Sequence, residues 1–181
     1  MSRRVARPYA VALLQVTEKG GVGQLRQIEA QLASVAELFR HAPEVLRVFE
    51  VPSVPPDAKR KLVVEIGQAL GLRMEAQRLL IALEHHLRLR YLDEVVAYFR
   101  ELVDRKEGIV RGRVELPSEA DARQVTALEE ALTRAVAARV QLDLKVREEL
   151  LAGFVVRVGS RVFDGSVLGR VRRFAASAVV K

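Results

Sequence analysis

The sequence has no cysteine and no tryptophan, and only 5% of its 181 residues are aromatic. The first absence removes disulfides, thiolate metal sites and cysteine nucleophiles together. The scarcity of rings leaves Leu, Val and Ala as the apolar mass, which suits packed helices better than an aromatic ligand pocket. No apolar run approaches the ~18 residues that suggest a membrane span. The opening MSRRVARPYA is basic, but no apolar core or cleavage site follows it, so no signal peptide is expected. A helical pattern begins at once, so no transit peptide is expected either. Half of the residues are hydrophobic, enough for a sizeable core in one domain or two small ones.

A concentration of one charge sign is also missing. The net charge is +7, yet residues 1–106 hold 17 basic and 13 acidic groups and residues 107–181 hold 13 and 10. Mixed charge of this kind makes a solvated surface rather than a nucleic-acid footprint. The one local cluster is Arg170, Arg172 and Arg173. A nucleic-acid module built on those three arginines is the rival class, and it requires binding that weakens steeply with salt.

Up to about residue 105 the apolar spacing is helical. Ala6, Tyr9, Ala10 and Leu13 make a first stripe, with Pro8 tolerable only inside a first turn. EKGGVG breaks the chain, since three glycines in four residues are poor helix formers. A second stripe runs through Leu25, Ile28, Leu32, Val35 and Leu38, and HAP stops it because the residue before a proline avoids the helical region. A short segment from Glu44 to Phe49 precedes the rigid loop VPSVPPD, and Asp57 stands where exposed amides favour a carboxylate. Leu62, Val63, Ile66, Ala69 and Leu70 follow, with Gly71 as the cap. Two more helices carry Ala76, Leu79, Leu80 and Leu83, then Leu92, Val95, Phe99 and Leu102. Six short helices with short connections predict an antiparallel bundle over residues 1–106.

The period changes at KEG. Val110, Gly112 and Val114 alternate with Arg111, Arg113 and Glu115, and Val140, Leu142, Leu144 and Val146 alternate with Gln141, Asp143 and Lys145. Between these strands lies a helix with Val125, Leu128, Leu132 and Val136, for which Ser118 is the expected N-cap and Asp121 its partner. AGFVVRVGSRVFDGS, residues 152–166, supplies two further strands joined by a Gly159-Ser160 turn. Ser166 then caps a final helix through Val171 and Phe174. The fold class is therefore mainly α: a six-helix bundle, then a small α+β domain with a β-hairpin over residues 107–181.

No side-chain constellation for catalysis can be assembled. The glycines of residues 152–166 lack the spacing and the following Lys or Ser/Thr of a phosphate loop. Asp164 has no histidine or second acid in view that would give it acid–base work. His85 and His86 are adjacent, so on a helix they diverge by about 100° and cannot share a metal. His41 stands alone at a helix end. What remains is surface. The first helix is apolar at Val5, Tyr9, Ala12, Leu13 and Val16, wider than one core stripe requires. The fifth is apolar at Leu79, Leu80, Ile81, Leu83 and Leu87. Either that helix is buried all round, or one of its faces opens as a groove for an amphipathic helix.

Three motifs resemble the delta subunit of bacterial F-type ATP synthases, whose mitochondrial relative is the oligomycin-sensitivity-conferring protein. RPYAVALL is similar to that family's opening through Arg7, Tyr9, Ala10, Ala12 and Leu13. RLRYLDEV is similar to its Arg-Leu-x-x-Leu pattern through Arg88, Leu89 and Leu92. The third and most specific uses Ala152, Gly153, Val158, Gly159, Asp164, Gly165 and Ser166. The chain departs from the family's habit at Ala152, where Gly is usual, at Val146-Arg147, and at Glu115-Leu116-Pro117.

The resemblance implies a non-catalytic subunit of the peripheral stalk that needs no cofactor. It implies a helical N-terminal domain gripping the N-terminal segments of the alpha subunits and a C-terminal domain meeting the b subunits. It further implies a single copy per complex, peripheral, at the cytoplasmic face of the bacterial plasma membrane. On that reading the groove lies between helices one and five, and Tyr9, Leu13, Leu80 and Leu83 are expected to line it.

Overall fold

A computed structural model of the chain describes residues 2–118, 121–147, 150, 152–158 and 161–165. The chain divides into two compact units, Met1–Glu107 and Gly108–Lys181.

The first unit holds six α-helices: α1 (Ser2–Thr17), α2 (Gly21–His41), α3 (Pro43–Glu50), α4 (Pro56–Ala69), α5 (Met74–His85) and α6 (Leu92–Glu107). The helical spacings converge on one hydrophobic cluster, in which α1 contributes Ala6, Ala10 and Leu13 and α2 contributes Leu25, Ile28, Leu32 and Val35. From α5 come Ala76, Leu79, Leu80 and Leu83, and from α6 Leu92, Val95, Phe99 and Val103. Phe99 and Leu83 are fully buried, and each large apolar side chain so placed contributes roughly 1.5–3 kcal/mol.

The breaks follow backbone chemistry. Pro43 opens α3 and Pro56 opens α4, each in a first turn where no intrahelical N–H is needed. Gly71, at φ +60°, ends α4, and the Leu72 N–H reaches back to the Gly67 carbonyl at 2.8 Å, a Schellman closure. Two expectations need correction. Pro8 lies past the first turn of α1, because the helix already begins at Ser2. Its missing N–H leaves the Arg4 carbonyl without that donor, and both residues are exposed, so the loss is not a buried one. The glycines of EKGGVG do not break the chain for long: Glu18–Gly20 forms a 3₁₀ turn and α2 starts at Gly21.

In the second unit β1 (Ile109–Leu116), α7 (Ala122–Val136) and β2 (Arg139–Val146) form a βαβ unit, and β1 and β2 are parallel from Ile109 opposite Arg139 to Leu116 opposite Val146. β3 (Val155–Val158) and β4 (Arg161–Asp164) are an antiparallel hairpin, and β3 pairs antiparallel with β1. The strand order is β2-β1-β3-β4. Its cluster of Val114, Leu132, Val140, Val156 and Val158 joins α7 to the sheet. α7 also satisfies part of the outer strand: the Val140 N–H donates to Thr133 Oγ1 at 3.0 Å and the Leu142 N–H to Glu129 Oε1 at 2.7 Å.

The cap of α7 is Asp121, whose carboxylate accepts from the Arg123 N–H at 3.3 Å, and not Ser118 as the sequence suggested. The helix starts at Ala122, and a capping side chain must stand immediately before the first turn. The Gly159-Ser160 turn, Ser166, the final helix and Arg170, Arg172 and Arg173 lie outside the described residues.

A candidate docking groove

Helix α1 carries two stripes at helical spacing, each built from steps of three and four residues or their neighbours on one face. Ala6, Ala10, Leu13 and Thr17 are buried in the core. Tyr9, Ala12, Leu13 and Val16 form the second stripe, and Leu13 belongs to both. α5 repeats the pattern: Ala76, Leu79, Leu80 and Leu83 point inward, while Glu75, Arg78, Leu79 and Ala82 form a neighbouring stripe shared at Leu79. The second stripes face each other across a concavity of about 240 Å³. Val16 is 67% exposed at its margin.

Both walls are fixed from behind. The Thr17 hydroxyl donates to the Leu13 carbonyl at 2.7 Å and ties down the last turn of α1. Ahead of α5, Gln31 of α2 donates to the Gly71 carbonyl at 2.7 Å and accepts from the Arg73 N–H at 3.0 Å. Gln24 donates to Glu75 at 2.9 Å, close to the start of α5. At the other end of that helix, Leu87 takes a left-handed φ of +54° and the Arg88 N–H closes on the Leu83 carbonyl at 2.7 Å. That turn brings the Arg88 guanidinium to Tyr9, where it donates to the phenol oxygen at 3.1 Å and lies 5.7 Å from the ring centroid. The His86 ring stands 6.4 Å from that of Tyr9. The Tyr9 end of α1 thus meets the C-terminal end of α5.

Of the residues expected to line the groove, Tyr9 and Leu13 do so and Leu80 and Leu83 do not. The last two are 1% and 0% exposed in the core. One helical step of about 100° separates their stripe from the one that faces the groove. The residues that sequence reasoning missed are Glu75, Arg78 and Ala82. Their stripe has the right period, but two charged residues hid it from a search for apolar spacing.

The groove floor is apolar and its margin is charged. Glu75 is engaged by Gln24 and, at 3.5 Å, by Arg73. Arg78 and Arg88 have no carboxylate partner among the described residues. No group of three or more His, Cys, Asp or Glu is arranged to hold a metal ion among the described residues. Among them, too, no helix is long and apolar enough to cross a membrane. Such a site can bind an apolar helical face.

The remaining motif residues serve the backbone. Arg7 is exposed, and Ala10 is wholly buried among the residues of the core. Gly153 sits at φ +91°, which a side chain would strain. The Gly165 N–H donates to the Phe154 carbonyl at 2.9 Å, and a Cβ there would come within 2.9 Å of the Phe154 ring. Asp164 ends β4 opposite Val155. Ala152 is exposed in a bend, and Gly159 and Ser166 fall outside the described residues. Between α7 and the sheet lies a second apolar concavity of about 470 Å³, lined by Val114, Leu116, Leu128, Leu144, Gly153 and Phe154.

Known proteins resemble the chain along nearly its whole length. The family model described as "ATP synthase delta (OSCP) subunit" matches residues 5–177. The ATP synthase subunit delta of an Anaeromyxobacter species is 35% identical over 164 residues, 90% of each chain. That of Nitratidesulfovibrio vulgaris is 33% identical over 167 residues, covering 90% of this chain and 89% of the relative. ATP synthase subunit delta 2 of Syntrophotalea carbinolica is 32% identical over 174 residues, 96% of each. A chain in the cryo-EM structure of the Toxoplasma gondii mitochondrial ATP synthase hexamer has the same fold, with a TM-score of 0.68 at 21% identity over 100% of this chain and 98% of that one.

Proposed function

The chain belongs to the ATP synthase delta (OSCP) subunit family, and from that premise we infer that it is the peripheral-stalk subunit joining the catalytic head to the b subunits. It is a structural subunit of an ATP synthase and not a catalytic one. In this reading residues 1–106 act as an antiparallel six-helix bundle that grips N-terminal helices of the alpha subunits. Residues 107–181 meet the C-terminal end of the b-subunit dimer. One copy per complex, at the cytoplasmic face of the bacterial plasma membrane, holds the stator against rotor torque and so couples proton transport to ATP synthesis.

The observation that carries the reading is the apolar groove between α1 and α5, with its floor at Leu13, Leu79 and Ala82. An amphipathic helix laid in such a groove can supply about 8–12 kcal/mol when its walls are already in place. Gln24, through Glu75, and Gln31, through the turn before α5, hold the α5 wall. The apolar concavity beneath α7 offers the second unit a surface for the end of the b-subunit dimer.

The test is Ala82→Asp in the assembled complex. A charge on the groove floor, outside the core, should uncouple ATP hydrolysis from proton pumping and leave hydrolysis by the isolated head unchanged. Full pumping by complexes that carry the folded variant would overturn the assignment.

A further inference from the structure

The groove margin is electrically lopsided. At the Tyr9 end stands Arg88, whose guanidinium donates one hydrogen bond to the Tyr9 hydroxyl and has no carboxylate partner among the described residues. Along the α5 wall stands Arg78, equally without one. At the opposite end is an acid, Glu75, which lines the groove and which Arg73 meets from outside the lining at 3.5 Å. A cation kept at an apolar interface without a partner in its own chain is a place for a carboxylate from outside. A helix that enters the groove carries a partial negative charge at its C-terminus and a partial positive charge at its N-terminus.

We propose that Arg78 and Arg88 select and orient the docked segment, an amphipathic helix with carboxylates along one flank, whose C-terminal end lies at Tyr9 and which runs antiparallel to α1. This rests on the groove being the docking site. From Arg78 to the end of α5 the helix rises roughly 10 Å, so the carboxylates that answer the two arginines stand about two turns apart on the occupant. Glu75 faces the occupant's N-terminal turn, where a carboxylate is favoured. The reverse direction would set Glu75 against the negative helix end and Arg88 against the positive one.

The experiment uses the full chain and a synthetic peptide of the alpha subunit's N-terminal segment from the same organism. Arg78→Gln and Arg88→Gln should each weaken binding by about 2–5-fold at low salt, the range for exposed charge pairs, and should flatten its salt dependence. Arg78→Lys and Arg88→Lys should retain most of the affinity. Because the chain has no cysteine, direction can be read separately. Nitroxides are placed at Lys19→Cys, beyond the Val16 end, or His85→Cys, at the Tyr9 end, and a partner label at the peptide's N-terminus. The proposal requires the shorter distance to position 19. Tight binding that ignores both Gln variants, or a shorter distance to position 85, overturns it and leaves the docking site standing. No binding by the unaltered chain overturns the docking site and this inference together.

Discussion

The guanidinium of Arg26 on α2 donates to the carboxylate of Asp104 on α6 at 2.6 Å, and it also holds Glu29 and Glu107. Arg100 reaches the same Glu29. Glu29 and Asp104 are 6% and 4% exposed, and cations offset the cost of taking these carboxylates from water, Arg26 at both and Arg100 at Glu29 as well. Burial works against the Arg26 charge, but hydrogen bonds to Glu107, Asp104 and Glu29 outweigh it and hold its pKa above the ordinary value. Arg26→Met should therefore cost about 2–4 kcal/mol in urea unfolding, less than a wholly buried pair because Arg26 is itself partly exposed.

Gly112 sits in central strand β1 where no side chain fits. A Cβ would stand 2.8 Å from Val158 and 2.9 Å from Leu142, side chains from the strands on either side. Gly112→Ala should cost about 1–3 kcal/mol by overpacking, and Gly112→Val more, as a lowered thermal midpoint of the second unit.

Glu115 accepts from Arg147 at 2.9 Å, and that hydrogen bond holds its pKa below the ordinary carboxylate value. Because the unfolded chain takes up the proton first, the contribution is present above the unfolded pKa and is lost as pH falls through the lower, folded one. Glu115→Gln should lower stability at neutral pH, and its deficit should shrink as pH falls from neutral through the folded pKa. Urea midpoints across that range test the sign.

How much was legible differs between the two walls of the groove. On α1, the excess apolar width at Tyr9, Ala12, Leu13 and Val16 marks a second face, because few charges interrupt it. On α5, the apolar stripe names the core residues Leu80 and Leu83 correctly as a face, but not which way that face points. The groove face instead passes through Glu75 and Arg78. The strands were legible from alternation, whereas the parallel pairing of β1 with β2 depends on the crossover through α7, which no local spacing encodes. Leu80→Asp and Ala82→Asp separate the two faces of α5. The first buries a charge in the core and should cost well over ~3 kcal/mol, and the second should change stability by less than ~1 kcal/mol while removing binding.

Whether the groove between α1 and α5 holds an alpha-subunit helix is decided by titration calorimetry of the full chain with the alpha subunit's N-terminal peptide. The expected result is one-to-one binding with a Kd between about 1 nM and 1 μM, abolished by Ala82→Asp in a chain that remains folded. Absence of heat, with no affinity tighter than ~100 μM by a second method, would contradict it.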